Sequence, residues 1–332
     1  MKSALHKVSG NFTTLFVNIY FHVLDRNDWK INFFEIDFMP KKHRRTVTAS
    51  NAAEANEDRS LSLESCLGRW NSHDVVTRPL GFSQVFDANR KVKQALIRMR
   101  EEIGHENVAR LFGISFHNDA IYLVEQYCAN GTLVEFFRDN KYSVNQSFRY
   151  VACADIANGM AYLHRQNLIH GNLSIDKCHV DSRWTIKIVD WEYTALYEVV
   201  RRTDRNQTRA TRENSVLHYL RSEGSQELRH LAPEIQKNNR LLEPTRAGDV
   251  YSFGIIIRDM FMNLPGQELP LINVEVGDRM PAKARQIMEI ACHETAISRP
   301  NFEQLEKSLR GAISSRQTNL MDRFVHQQIV HV

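Results

Sequence analysis

His170-Gly171-Asn172-Leu173-Ser174 opens the stretch that decides the fold, and Asp190-Trp191-Glu192 closes it. Between them lie Lys177-Cys178-His179-Val180 and a short β-prone run over 185–189. Upstream, residues 148–164 carry Val151, Ala154, Ile156, Met160, Ala161 and Leu163 in helical phase, so the loop at His170 follows a helix with an apolar face. Downstream come Ala232-Pro233-Glu234, then Asp249-Val250-Tyr251-Ser252-Phe253-Gly254, then Ser298-Arg299-Pro300. Helical patterns cover 247–264, 282–293 and 302–313. Before the deciding stretch, Val75-Val76-Thr77 and 120–127 read as strands, with Asn130-Gly131 as a turn behind the second. Residues 89–103 space Val92, Leu96, Met99 and Ile103 as an amphipathic helix. Strands first and helices later predict an α+β fold in two lobes.

These landmarks stand in the order and spacing of a protein kinase: H-R-D-L, D-F-G, A-P-E, D-x-x-S-x-G and a late R-P. The resemblance implies a bilobal protein-kinase-like fold, with a small β-rich N-lobe at about 60–128 and a helical C-lobe at about 129–313. It also implies structural roles. Glu234 is expected to pair with Arg299, a kind of buried pair that costs about 3–5 kcal/mol to break. Asp249 is expected to accept backbone hydrogen bonds from the loop containing His170. The fold-holding residues are intact.

The residues for phosphoryl transfer are not. That reaction needs a carboxylate near the attacking hydroxyl, metal ligands, a lysine on the phosphates and a glutamate to hold the lysine. Asn172 occupies the base position, and an amide accepts no proton near neutral pH. Lys177 stands where the loop's metal ligand belongs, and a cation repels magnesium. Arg78 replaces the strand lysine, keeping charge but not shape. The helix glutamate, counted back from His105, falls on Leu96, or on Glu101 if the helix is shifted. Asp190 alone keeps its residue type, and Trp191-Glu192 removes the glycine that follows it. No residue set suggests a metal site.

The positions that would line a nucleotide pocket are Arg78, Glu125, Gln126, Cys128, His179 and Asp190. No G-x-G-x-x-G precedes Arg78; Cys66-Leu67-Gly68-Arg69-Trp70 is its remnant. Glu125 puts a carboxylate at the innermost hinge position, and His179 replaces an apolar residue under an adenine. A buried unpaired carboxylate is costly, so Glu125 is expected either to pair with Arg78 or to face solvent.

Finer motifs narrow the resemblance. His105-Glu106-Asn107-Val108-Ala109-Arg110-Leu111-Phe112-Gly113, His170-Gly171-Asn172-Leu173-Ser174 and Val180-Asp181-Ser182-Arg183-Trp184 resemble the kinase-homology domain of receptor guanylate cyclases. Asp28-Trp29-Lys30-Ile31 resembles that family's juxtamembrane entry, and Thr318-Asn319-Leu320-Met321-Asp322 the start of its dimerising helix. The resemblance divides the chain into a juxtamembrane-like extension and linker at 1–59, the kinase-like domain at 60–313, and a tail or signalling helix at 314–332. It implies a catalytically impaired regulator of cyclic GMP signalling. Its partner is a guanylate cyclase catalytic domain, in cis or in trans, with homodimerisation through the C-terminal helix. It further implies ATP as an allosteric ligand, while Lys177 argues against magnesium. The implied location is the cytoplasmic side of the plasma membrane. Two rival readings are an active kinase with atypical residues and a scaffold without a ligand.

Composition sets outer limits. The 332 residues are 42% hydrophobic and 25% charged, those of a globular protein, and the net charge of +4 is too balanced to imply nucleic acid. Five cysteines without C-x-x-C spacing read as buried thiols in a reducing compartment. Residues 8–24 hold too many polar groups for a bilayer span. Lys41-Lys42-His43-Arg44-Arg45 suits a membrane surface or a solvated run. The five arginines between 201 and 212 read as a solvated loop.

Overall fold

The computed structural model describes residues 28–39, 65–80, 89–118, 120–138, 146–203, 230–237, 244–262 and 280–313. The extreme termini, the basic run at 41–45, residues 204–212 of the arginine-rich stretch and the tail at 314–332 lie outside them.

The N-lobe is one six-stranded sheet in the order β1-β5-β6-β4-β3-β2. Its strands are β1 (Lys30–Ile31), β2 (Asp37–Phe38), β3 (Cys66–Trp70), β4 (His73–Pro79), β5 (Leu111–His117) and β6 (Ala120–Gln126). Helix α1 (Arg90–Glu101) starts at Asn89, whose side chain accepts from the Lys91 and Val92 amides, and carries Arg98 and Arg100 at its negative end. Val92, Leu96 and Met99 are buried, so the amphipathic reading of this helix holds.

Residues 28–39 join this sheet rather than standing outside it. β1 pairs in parallel with β5, and β2 pairs antiparallel with β3, so one short segment reaches both margins. Trp29 is buried, and its carbonyl accepts from the Ile114 amide at 2.9 Å. Gly113 makes room for it: at φ +155°, a Cβ there would sit 2.5 Å from the Trp29 oxygen. Phe33 stacks on His117 at 4.0 Å between ring centres.

The C-lobe is built on α3 (Gln146–Arg165), which is buried along most of its length. Around it lie α2 (Leu133–Arg138), the β7–β8 ribbon (Cys178–Val180 with Ile186–Ile188), α4 (Trp191–Thr203) and α5 (Pro233–Lys237). α6 (Arg246–Met262), α7 (Ala282–Ala291) and α8 (Phe302–Arg310) complete it. α8 begins with a reciprocal cap between Asn301 and Gln304 and packs on α3. The main apolar core runs from α1 through α3 to α6, α7 and α8. The start of the arginine-rich stretch is helical, because α4 runs to Thr203. Among the described residues no helix is long and apolar enough to cross a membrane.

Candidate functional site: the cleft between the lobes

Strand register places the first two residues. In β4, Val75 and Thr77 are buried on one face, leaving Val76 and Arg78 on the other. Val76 lies directly opposite Glu125 of β6, which makes Arg78 and Glu125 diagonal neighbours on the cleft face. The guanidinium meets the carboxylate as a fork, Nε to Oε2 at 2.5 Å and Nη2 to Oε1 at 2.6 Å. Of the two sequence expectations for Glu125, pairing is the one present.

The C-lobe supplies the third and fourth residues. Asp190 follows β8 with its backbone in the left-handed region, φ +61°. Its Oδ1 receives Arg78 Nη1 at 2.5 Å and its Oδ2 receives Lys177 Nζ at 2.8 Å. Burial pushes the Asp190 carboxyl up, but Arg78 and Lys177 hold it below the usual carboxylate range. Burial by itself would lower the Arg78 pKa; Asp190, Glu125 and Glu192 raise it instead.

The loop before Lys177 is held from beneath. Asp249 accepts from the His170 amide at 2.9 Å, from the Gly171 amide at 2.8 Å and contacts His164 Nε2 at 2.9 Å. The His170 ring reaches the Val189 carbonyl at 3.0 Å, tying this loop to the residue before Asp190. Gly171 has φ +75°, and a Cβ there would come within 2.7 Å of Pro244 and 2.9 Å of Thr194 Oγ1. Arg299 grips Glu234 through Nη1–Oε1 at 2.6 Å and Nη2–Oε2 at 2.8 Å.

Asn172 is buried, and its Oδ1 accepts from His230 Nε2 at 2.7 Å. His230, lowered to about 3 by burial and by neighbouring His170 and Lys177, stays neutral. Its carbonyl accepts from Ser252 Oγ at 2.7 Å, so the segment before Ala232-Pro233-Glu234 is fastened over the base position. His179 is likewise lowered to about 3, by burial and then by Arg78. Gln126 ends β6 with its side-chain oxygen 3.4 Å from the Arg110 amide. Burial pushes the Cys128 thiol up to about 12.

The helix position predicted to replace a glutamate is not at the cleft. Leu96 is buried in the core and Glu101 is exposed at the end of α1, so the carboxylates around Arg78 come from β6 and from residues 190–192. Sequence reasoning missed two partners. Glu192 is fully buried, its oxygens meet no N–H or O–H donor among the described residues, and its neighbour is Glu125. His230 closes over Asn172. Neither carries a local signal, because both contacts join segments far apart in the chain.

Magnesium does not fit these residues. An ammonium and a guanidinium already occupy both oxygens of Asp190, and both repel a divalent cation. Among the described residues no cluster of His, Cys, Asp or Glu suits a metal ion.

Comparison with known proteins agrees with this architecture. The profile of the family described as protein tyrosine and serine/threonine kinase matches residues 85–309. Retinal guanylyl cyclase 2 of Homo sapiens is 26% identical over 247 residues, 68% of this chain and 21% of that protein. A receptor-type guanylate cyclase of Drosophila melanogaster is 26% identical over 302 residues, 80% of this chain and 19% of that protein. Guanylate cyclase 2G of Rattus norvegicus is 25% identical over 341 aligned positions, 89% of this chain and 29% of that protein. The chain thus spans about a fifth of the length of the first of these relatives. It belongs to the protein tyrosine and serine/threonine kinase family, as a kinase-like domain of the kind shared with receptor guanylate cyclases.

Proposed function

We propose that this domain regulates by conformation and does not transfer phosphate, relaying a signal to a guanylate cyclase domain in cyclic GMP signalling. The observation that carries this reading is the continuous chain Glu125–Arg78–Asp190–Lys177, which ties up the strand cation and the surviving acid with one another. The Asn172–His230 contact supports it, since it places a neutral imidazole against the amide at the base position. The relatives' cyclase names support the choice of partner, a catalytic cyclase domain; homodimerisation and a place at the cytoplasmic face of a membrane are further parts of the same proposal. A scaffold without a ligand is the second reading, favoured by the same internal pairing of Arg78 and Lys177.

Incubation with radiolabelled ATP, once with magnesium and once with manganese, tests the reading. No label is expected on the chain or on a peptide, and Asn172→Asp alone is expected to restore none, because Lys177 still excludes the metal. Labelling that disappears in Asp190→Ala would overturn it.

A further inference from the structure

Helix α1 is pinned at one end and braced by packing elsewhere. Near its C-terminal end, Arg98 Nη2 donates to the Gln166 carbonyl at 2.8 Å and the Gly104 amide to the Tyr162 hydroxyl at 3.0 Å, which fastens it to α3. Its first turns meet Trp29 instead. Lys93 Nζ lies 5.8 Å over the indole, and Trp29 shares the main core with Val92 and Leu96. The Trp29 Nε1 is buried and finds no acceptor among the described residues, so apolar contact seats this side chain. Leu96 stands where a glutamate would tie α1 to Arg78, and the carboxylates around Arg78 come from other elements. Packing therefore decides where the free half of this helix lies.

The second brace is α4, which packs along α1. Its start is fixed by Trp191, whose Nε1 donates to the Ala109 carbonyl at 2.9 Å, and it buries Leu196 and Val200 one turn apart. Docking it has a cost. Glu192 enters the interior with no N–H or O–H donor among the described residues, which offsets part of the gain from the apolar face. An element carrying such a penalty is nearer release than one fully satisfied.

We propose that Trp29 sets the position of α1 and, through it, the docking of α4, so that the segment at 28–39 controls the segment after Asp190. The inference rests on the reading that this domain regulates by conformation, and it names the entry point and the moving element. With Trp29 seated, α1 and α4 stay packed together. With Trp29 withdrawn, the free half of α1 swings about its pinned end, and α4 loses the surface it packs on.

Hydrogen exchange on the whole chain tests this with Trp29→Ala, Trp29→Phe and, as a control for general loosening, Leu305→Ala. Leu305 is buried on α8, which packs on α3. In Trp29→Ala the α4 amides are expected to exchange at least about tenfold faster relative to those of α3. Phenylalanine keeps the apolar contact and drops the unpaired N–H, so Trp29→Phe is expected to restore the native ratio. Leu305→Ala is expected to speed both helices together. An unchanged ratio in Trp29→Ala, an equal rise of the ratio in Leu305→Ala, or a Trp29→Phe chain as loose as Trp29→Ala overturns the proposal. Should Trp29→Ala not fold, Leu196→Ala reads the link in reverse, because coupling between two sites is reciprocal. The Ile114 amide, which donates to the Trp29 carbonyl, is then expected to exchange faster relative to α3, and an unchanged ratio rejects the link. Failure here leaves the loss of phosphotransfer standing, because only transfer of label from ATP bears on that.

Discussion

Arg78 balances carboxylates that could not otherwise be where they are. Glu125 is fully buried, and burial already raises its pKa, so Arg78→Ala would leave its carboxyl without a counterion, to be protonated or left charged at a loss of about 3–5 kcal/mol. Replacing both partners by apolar residues, Arg78→Met with Glu125→Leu, is expected to recover most of that loss. Urea denaturation of the three chains checks this. A double variant as unstable as Arg78→Ala alone would show that the loss comes from somewhere other than the orphaned carboxylate. At this scale the sequence was partly legible. Asn172, Lys177 and Arg78 could be read because each occupies a numbered place in a motif. The cost of burying a carboxylate left Glu125 either paired with Arg78 or facing solvent, and the fork to Arg78 is what forms. Glu192 and His230 could not be read, since burial of a polar side chain by a distant segment leaves no local pattern.

The segment over 28–39 behaves as one element with two anchors. A methyl group at residue 113 would collide with the Trp29 carbonyl, so Gly113→Ala is expected to lift β1 from β5 at a cost of about 1–3 kcal/mol. Hydrogen exchange identifies the cause: the Ile114 amide, which donates to Trp29, should lose protection first. A destabilised variant whose Ile114 amide stays protected would argue against this anchoring. Elements differ in how visible they were. Helices α1, α3, α6, α7 and α8 were expected within a few residues of their observed ends, because each repeats an apolar face over several turns. Strands β1 and β2 have two residues each, too few for any period, and they form only because β5 and β3 offer partners. Helix α4 has no counterpart in the sequence reading, which places only a solvated loop from 201 to 212.

Across the whole molecule, buried titratable groups of opposite sign shape the dependence of stability on pH. His179 and His230 have folded values of about 3, below the ordinary imidazole value, so the unfolded chain protonates first. Their contribution is complete above about pH 6.5 and is lost as pH falls below it. Glu192 works in reverse. Burial, then the charge of Glu125, raises its pKa well above the usual carboxyl value, so the folded state keeps a proton that the unfolded state releases. Its contribution is therefore complete below about pH 4.5 and is lost as pH rises toward the folded value. Glu192→Gln, whose amide supplies a donor to Glu125 without a titrating proton, should remove that loss. Relative to the native chain its stability should grow by about 1.4 kcal/mol per pH unit as pH rises from the ordinary carboxyl value toward the raised folded one. Urea denaturation across that range measures it, and parallel curves for the two chains would count against the shared proton.

The placement of β1 and β2 has one more consequence. A β-sheet that ends in a long unpaired strand invites a neighbouring polypeptide to continue the ladder, the route to edge-on aggregation. Here each margin terminates in a strand of two residues, too short to template an incoming chain. The same twelve-residue segment that fastens the N-lobe thereby protects its open sides, and a lobe that shed it would acquire two sticky borders at once.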